Sequence, residues 1–413
     1  MHNRKKIFEK KERSKRQRKM GADWAELPKE LVESISKLLT IYSDYLRFRS
    51  VCRSWRSSVR KTPVHLPPQL PWLMLSHRAF FDLSLHKTHL LRNHPQPPHT
   101  RICASSHGWL ALLDHTPNLR LLNPLTRATR SLPPLHTFPN VLTFNHSLVG
   151  REYLVANPHG AVHTLSSRHV CTSFLTKLVL SQSPSRGPHF AALAIVAQNN
   201  LAFCRNGSDA WIFVNDEDGE LYCWEDVVDY NGVFFAVSKG GTIAVCDPAC
   251  SRSPPRVSLI QPTAPFGFVG DINYAVFSAG DFLLVTRLLD QEFSDAAGVE
   301  SNLVYRTVSF EVFKMNWGLL TWQRLDTLGD RVLFVGGNSS LSFCASDFEG
   351  CSADCIYFTD DYSELNDDDA CGKHDLGIFR LCDKSIEPLP CFPPGSFSQL
   401  GWPLPIWLSP NPC

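Results

Sequence analysis

The most informative stretch of the chain runs from Leu27 to Val59 and reads LPKELVESISKLLTIYSDYLRFRSVCRSWRSSV. Apolar residues in its first half recur at the spacing of one helix face: Leu27, Leu31, Ile35 and Leu38. Pro28 suits the first turn of such a helix, where its missing N–H costs nothing. We therefore predict a helix that starts near Pro28 and carries one apolar stripe.

The second half of this stretch predicts two further helices. Ser43 or Asp44 can cap the first of them. Apolar side chains then continue at intervals typical of helices: Leu46, Phe48, Val51, Cys52, Trp55 and Val59. Three short helices bury too little apolar surface to be very stable alone, so we expect a partner to cover part of this face. The alternative is a self-contained helical mini-domain, or a helical cap on the rest of the chain.

This ordered set of residues resembles the F-box. The pattern of that family is Leu-Pro, an apolar helix, a short break, and a Leu/Arg-rich helix that ends in Val-Cys-x-x-Trp. The matching residues are Leu27, Pro28, Leu31, Ile35, Leu38, Leu46, Val51, Cys52 and Trp55. The resemblance implies that these nine residues dock on a Skp-type adaptor and, through it, on the cullin and RING protein of a ubiquitin ligase. Cys52 and Trp55 would also hold the helices together.

Residues 100–413 follow a different pattern, in which short strands alternate with turns rich in Gly, Pro, Asn and Asp. Two of the hairpins predicted in this way have their turns at Ser238–Gly241 and Gly336–Ser340. A long series of hairpins must hide its sheet edges, and a propeller does so by radial repetition. Blades of about 50 residues predict about six or seven of them. A sandwich rarely extends over so long a segment as one unit.

Five strings in this region resemble one plant family, which joins an F-box to a kelch-like, KIB-type β-propeller. They are SSHGWLALLD (Ser105–Asp114), LLNPLTRATRSLPPL (Leu121–Leu135), YCWEDVVDYNGVFFAV (Tyr222–Val237), LGDRVLFVGGNSSLSFCASDF (Leu328–Phe348) and CIYFTDDY (Cys355–Tyr362). The resemblance covers about residues 22–410. It implies a mainly β protein whose propeller recruits a target protein for a ligase, without identifying that target.

These patterns divide the chain into four segments. We expect a disordered basic tail at 1–21, the three-helix F-box at 22–61, a connector rich in Pro and His at 62–99, and the propeller at 100–413. Residues 1–20 hold ten basic and two acidic side chains, a net charge of +8, and the rest of the chain carries −7. A body of that charge will not attract nucleic acid, so we expect no such partner.

The basic tail is a candidate nuclear localisation signal. Its basic cluster comprises Lys10, Lys11, Arg13, Lys15, Arg16, Arg18 and Lys19. A merely solvated tail is an equal alternative, and contact with nucleic acid is a third, although no aromatic residues interleave the charges. Because the sequence contains neither a run of 18 apolar residues nor an apolar segment behind the basic start, we expect a location in the nucleus, the cytoplasm or both, and no membrane partner.

Signatures of catalysis are missing from the sequence. It contains no phosphate loop, no H-E-x-x-H, no G-x-S-x-G and no C-x-x-C, so we expect no catalytic residue, metal or cofactor, and cysteines that stay reduced. His107, beside Gly108, is expected to support a turn. The acidic run Asp360–Asp369 is either a solvated loop or a recognition loop for a basic partner.

The resulting functional hypothesis is a non-catalytic substrate receptor of an SCF-type ubiquitin ligase. Its F-box would dock the adaptor and its propeller would bind the target protein. One alternative is a nuclear scaffold that uses the F-box without degradation. Another is a propeller enzyme, which a tight cluster of histidines and carboxylates in the central channel would support.

Overall fold

A computed structural model describes 15 ranges of the chain. They are 23–61, 63, 65–76, 79–91, 100–114, 116–157, 159–197, 200–214, 222–249, 255, 257–263, 270–294, 302–361, 375–391 and 405–411. The chain divides into two compact units, with the boundary between Gln69 and Leu70. The candidate nuclear localisation signal lies outside the described residues, as does most of the acidic run.

The first unit contains the three predicted helices: α1 (Lys29–Lys37), α2 (Tyr42–Ser50) and α3 (Arg53–Ser58), preceded by a 3-10 turn at Trp24–Glu26. Pro28 caps α1, and its carbonyl accepts from the N–H groups of Leu31 and Val32 at 3.0 and 3.1 Å. The core of the unit is formed by one buried residue from α1, one from α2, and two from α3 and its end: Val32, Tyr45, Trp55 and Val59. Burial of four such side chains joins the helices.

The predicted cap of the second helix is wrong. α2 begins before Ser43 and Asp44, and Ile41 occupies the cap position without a side-chain hydrogen bond. Gln69 replaces the missing cap, because its Oε1 accepts from the N–H of Tyr42 at 3.1 Å. The third helix has a sulfur cap, in which Cys52 Sγ accepts from the N–H of Trp55 at 3.4 Å. The group that caps α2 belongs to Gln69, which is distant from Tyr42 in sequence, so local spacing could not reveal it.

The second unit consists of sheets, which confirms a mainly β fold with a propeller. The first described sheet contains β1 (Trp72–Ser76), β2 (Ala79–Asp82), β3 (Lys87–Leu90) and the last strand of the chain, β28 (Ile406–Leu408). The second contains β4 (Arg101–Ser106), β5 (Trp109–Leu113), β6 (Leu119–Leu122) and β7 (Thr129–Ser131). The third contains β8 (Val141–Phe144), β9 (Tyr153–Ala156) and β10 (Val162–Leu165). Short helical turns lie at Leu135–Thr137, Ser167–His169, Val170–Phe174 and Ala345–Asp347.

Four further sheets complete the described part of this unit. The fourth sheet contains β11 (Leu175–Leu180), β12 (Ala191–Val196), β13 (Asn200–Arg205) and β14 (Ile212–Phe213), and the fifth contains β15 (Trp224–Tyr230), β16 (Val233–Ser238), β17 (Ile243–Cys246) and β18 (Val257–Ile260). The sixth contains β19 (Ile272–Ser278), β20 (Asp281–Ser294), β21 (Asn302–Asn316) and β22 (Thr321–Leu325). The seventh contains β23 (Arg331–Val335), β24 (Leu341–Cys344), β25 (Cys355–Phe358), β26 (Gly377–Arg380) and β27 (Ile386–Glu387). Neighbouring strands are antiparallel, except that β23 and β25 pair in parallel.

The boundary predicted between the connector at 62–99 and the propeller needs correction, because part of this segment belongs to a sheet. Instead of a linker it holds β1, β2 and β3, which belong to the first sheet. β28 near the C-terminus pairs with β1 in antiparallel register, Leu73 opposite Trp407. Proline and histidine obscured these strands because the sequence pattern lacks clean alternation, and the partner strand lies more than 300 residues away. This pairing closes the ring.

Six sheets contribute a strand to the central ring in the described part of the chain: β28, β4, β11, β15, β19 and β24 lie side by side in that order. β4 packs directly beside β11, so the three-stranded sheet β8–β10 does not separate them at the axis. That sheet instead packs outside, where Val155 shares a core with Leu119 and Phe174. The count of six ring sheets and one accessory sheet agrees with the predicted six or seven blades.

Candidate functional site

The outer face of α1 is the first candidate site. Leu31 and Leu38 leave 51% and 79% of their surface exposed, and Ile35 between them is half-buried. Val32 and Ser36, on the adjoining side of the helix, are buried. Of the stripe predicted from the sequence, Leu31, Ile35 and Leu38 therefore share one outward-facing side, whereas Leu27 packs against the core of the unit.

Other predicted adaptor-binding residues extend the apolar exposure of this unit. Val51 is 58% exposed, Pro28 is exposed, and Leu27, Leu46 and Cys52 are half-buried. Trp24, which the sequence-based prediction missed, is 64% exposed. A signal was available, because a large aromatic residue stands three positions before the Leu-Pro pair. Each leucine or valine fully covered by a partner would contribute about 1.5–3 kcal/mol.

Trp55 has a different place from the other predicted adaptor-binding residues. It is 9% exposed, and its ring lies against Phe48 with centroids 4.4 Å apart. Its Nε1 donates to the carbonyl of Trp24 at 2.8 Å. Trp55 therefore holds the first turn against α3, and it supports the exposed face from beneath.

The centre of the propeller contains a buried ion pair. Lys177 on β11 places Nζ 2.6 Å from Asp226 Oδ1 on β15, and their side chains are 5% and 1% exposed. Lys177 also donates to the carbonyl of Gly336 at 2.8 Å. Asp226 Oδ2 accepts from the N–H of Ala275 at 2.9 Å and from Ser340 Oγ at 3.2 Å. Burial raises the pKa of Asp226, and Lys177 opposes that shift.

These contacts hold the segment Gly336–Ser340 inside the ring. The sequence pattern predicts this segment as an ordinary hairpin turn between β23 and β24, and the hairpin is confirmed. Its tip reaches across the ring, because the N–H of Ser339 donates to the carbonyl of Ser105 at 2.7 Å. Gly336 has φ +141°, and a Cβ there would lie 2.0 Å from Thr359 Oγ1. Glycine is therefore required where the segment enters the ring.

One end of the ring carries an arginine–carboxylate cluster. Arg287 is fully buried, and its guanidinium lies 3.1 Å from Asp361 and 2.8 Å from Asp375. Tyr274 donates to Asp361 Oδ1 at 2.8 Å. Burial raises the pKa of Asp361 to about 6, although Arg287 opposes the shift. The first two residues of the acidic run, Asp360 and Asp361, are thus anchored in the structure, and the remainder lies outside the described residues.

Two cavities lie at opposite ends of the axis-facing strands. One cavity, of about 60 Å³, is lined by residues at the starts of β4, β11 and β28 and by Asp360 and Asp361. The other, of about 160 Å³, lies at the ends of β4, β15 and β28. We call it the serine pocket, after five of its lining residues: Ser105, Ser106, Ser339, Ser340 and Ser409.

His107 lies at the serine pocket, in the turn between β4 and β5. Its backbone is left-handed, with φ +50°, as is that of Gly108 with φ +79°. Its Nε2 is 3.3 Å from Asp229 Oδ2. A single histidine beside a single carboxylate is sparser than the cluster that would support a propeller enzyme.

Cysteine and metal chemistry can be assessed for the described part of the chain. Two of the buried cysteines in those ranges are Cys103 and Cys355, and burial raises the pKa of each thiol to about 11. No group of three His, Cys, Asp or Glu side chains in those ranges is arranged to hold a metal ion. In the same ranges, none of the helices combines the length and the apolar character needed to cross a membrane.

Comparison with known families gives two matches in the order that the architecture requires. The F-box domain model matches residues 24–66, and the KIB1-4 beta-propeller model matches residues 80–380. The chain belongs to the KIB1-4 beta-propeller family of F-box proteins. The resemblance inferred from the sequence strings is thereby confirmed.

Proteins of Arabidopsis thaliana are similar to this KIB1-4 family member over nearly its whole length. The F-box protein SKIP23 is 30% identical and covers 94% of this chain and 96% of its own. The F-box protein At2g17036 is 26% identical, covering 94% of this chain and 95% of its own. Among solved structures, the Cps50 (Swd1) beta-propeller domain of Myceliophteria thermophila aligns with 75% of this chain and 78% of its own, at 9% identity and a TM-score of 0.31.

Proposed function

We propose that this protein is a substrate receptor of an SCF-type ubiquitin ligase, and that it is not itself an enzyme. The observation that carries the proposal is the outward-facing stripe on α1 within a matched F-box, joined in one chain to a matched propeller. In this role the helical unit binds a Skp-type adaptor, which brings the cullin and RING protein. The propeller binds a target protein.

Adaptor docking would cover the apolar face that the helical unit leaves exposed. Leu31 on α1 and Leu38 at its C-terminal cap lie about two turns apart with Ile35 between them, so a single groove on the adaptor can receive all three. The α1 stripe is thus placed to contribute the hot spots of the interface. Trp55 contributes indirectly, because it fixes α3 and the turn at Trp24–Glu26.

Target binding is proposed for the end of the ring that bears the arginine–carboxylate cluster. The hairpin of β20 and β21 continues beyond its neighbours there, from Leu288 opposite Ser309 to Ser294 opposite Asn302. Seven residues at about 3.3 Å each give a projection of about 23 Å. Midway along this extension, Tyr305 lies opposite Gln291 and donates to Asp360 Oδ1 and Oδ2 at 2.9 Å each. A projecting hairpin beside a ring end offers a binding rim.

Such a receptor acts by proximity rather than by chemistry of its own. Holding the target near a charged ubiquitin-conjugating enzyme raises the effective concentration of the target lysine. No side chain of this chain needs to touch the reacting atoms. We also propose a location in the nucleus, the cytoplasm or both, which a fluorescent fusion with and without Lys10–Lys19 would test.

The experiment that tests the proposal is adaptor binding by purified full-length protein. Leu31→Ala combined with Leu38→Ala removes the exposed stripe while leaving the core residue Val32 in place. Losing about 1–2 kcal/mol at each leucine predicts adaptor binding weakened about 30-fold or more. The matched control is Leu319→Ala in the propeller, at a leucine 69% exposed, which should bind like wild type. A folded wild-type protein that binds no plant Skp-type adaptor would refute the proposal.

A further inference from the structure

A row of apolar side chains is exposed at the end of the propeller opposite the arginine–carboxylate cluster. Arg287 of that cluster pairs with the first residue of β19, whereas the row lies at the far end of the same strand and at the turns beside it. We call this row the aromatic patch. It comprises Tyr230 (36% exposed), Phe277 (half-buried), Trp317 (44%), Leu319 (69%) and Leu320 (47%).

Ring contacts make the aromatic patch continuous across two sheets. Tyr230 of the fifth sheet stacks on Phe277 of the sixth, with centroids 4.0 Å apart and an interplanar angle of 12°. The buried ring of Phe282 links Phe277 to Trp317, at centroid distances of 4.8 and 6.0 Å. Apolar residues scattered singly over a surface are ordinary, whereas a connected group of them marks an interaction site.

The turn between β21 and β22 holds the other apolar side chains of the patch in place. Asn316 Oδ1 accepts from the N–H groups of Gly318 and Leu319 at 3.1 and 3.0 Å. The carbonyl of Leu320 accepts from the N–H of Thr263 at 2.8 Å. Leu320 also has a left-handed backbone, with φ +52°, which leucine rarely adopts. A turn fixed by these contacts has little conformational entropy to lose when it binds a partner.

The charge around the aromatic patch limits what it can bind. A single charged residue, Asp281, occurs in the turns that bear the patch, at 230–232, 278–281 and 316–321. Lys314 lies 2.8 Å from the carboxylate of Asp281 and neutralises it. A charged ligand would therefore find no opposite charge to pair with in these turns, whereas an uncharged apolar ligand would cover the rings and leucines.

The area of the aromatic patch distinguishes a short segment from a second copy of the chain. Aromatic side chains have about 150–250 Å² to bury, so the exposed fractions of the five residues amount to roughly 400 Å². Each partner in a stable dimer buries about 800 Å². The patch alone is about half that size. It suits a short peptide segment better than a second propeller.

We propose that the aromatic patch binds a short, uncharged, apolar segment of a partner protein. Trp317 and Tyr230 are residues of the type that dominates binding hot spots. Three ring-to-ring steps separate them, which is no more than the length of about five extended residues at about 3.3 Å each. The patch belongs to the propeller and lies away from the ring end proposed for the target, so the proposal goes beyond the proposed function.

Panning a random phage-displayed heptapeptide library on the full-length protein tests this chemistry. Peptides retained by wild type, and lost from the double variant Trp317→Ser with Leu319→Ser, should carry at least two large apolar side chains and no net charge. A synthetic copy of the most enriched peptide should bind wild type with a Kd on the order of 10–100 µM. The double variant should bind it at least about tenfold more weakly, since each covered anchor is worth about that factor.

The matched control is Leu148→Ser with Val149→Ser, in the turn between β8 and β9. These residues are 54% and 89% exposed, and the control should bind the peptide like wild type. All four positions are exposed, so both double variants should keep the Tm of wild type. Enrichment of charged peptides, no enrichment at all, or equal binding by the Trp317 and Leu319 variant would overturn the proposal. Concentration-dependent dimerisation of wild type that this variant loses would overturn it in favour of a contact between two copies.

Discussion

The ion pair at the centre of the propeller permits a quantitative prediction. Lys177→Met keeps most of the side-chain volume and removes the ammonium, so the buried carboxylate of Asp226 loses its charged partner. The N–H of Ala275 and the hydroxyl of Ser340 remain as neutral donors. Removing one member of a buried ion pair costs about 3–5 kcal/mol, because the other charge stays desolvated.

This free energy converts into a shift of the thermal midpoint. A unit of about 340 residues unfolds with an entropy of about 0.7 kcal/mol per kelvin, from about 2.1 cal/mol/K per residue. The expected fall in Tm is therefore about 4–7 °C at one fixed scan rate. Differential scanning calorimetry of the full-length protein measures it directly.

A surface pair of the same type supplies the control. Lys314 lies 2.8 Å from Asp281, and their side chains are 40% and 48% exposed, so Lys314→Met should cost about 0–1 kcal/mol. Adding Asp226→Asn to Lys177→Met should restore at least half of the lost Tm, since no unpaired charge then remains buried. Equal shifts in Lys177→Met and Lys314→Met would refute the reasoning, because they would mean that water reaches the pair of Lys177 and Asp226.

Three further predictions follow from individual contacts. Gly336→Ala should lower Tm more than Lys177→Met does, since a Cβ would lie 2.0 Å from Thr359; an unchanged calorimetric Tm would contradict this. Trp55→Ala should destabilise the helical unit by about 3–5 kcal/mol, whereas Leu38→Ala should change it by less than about 0.5, as measured by urea denaturation followed by circular dichroism. The raised pKa of Asp361, about 6, means that the folded state gains a proton between pH 7 and 5, whereas the unfolded state gains one only near pH 4. Stability from this group therefore rises by about 1 kcal/mol as pH falls from 7 to 5, and the Tm of wild type relative to Asp361→Asn should be higher at pH 5.

The helical stripe shows what could be predicted from the sequence and what could not. Spacing placed Leu31, Ile35 and Leu38 on one helix face, and the structure confirms that face. Spacing does not distinguish a face that packs inward from one that awaits a partner. Val32, about 100° round the helix from Leu31, is the apolar residue that α1 buries in the core of its own unit. Only the packing of all three helices separates these two roles.

The propeller shows the same limit over longer distances. Hairpin turns such as Ser238–Gly241 were predicted because strand and turn signals are local. The pairing of β1 with β28, the reach of Gly336–Ser340 into the ring, and the meeting of Asp229 with His107 depend on residues far apart in sequence. These long-range contacts create both cavities, which explains why the sequence predicted the architecture but not the pockets.

Ubiquitination of proteins bound by the propeller tests the central claim most directly. The full-length protein would be added to plant extract with active cullin-RING ligase and a blocked proteasome, as wild type and as Leu31→Ala with Leu38→Ala. A substrate receptor predicts that both forms retain the same bound proteins, and that only wild type yields ubiquitin conjugates on them. Equal conjugation with both forms, or bound proteins that are never conjugated, would contradict the account, the latter result favouring a scaffold.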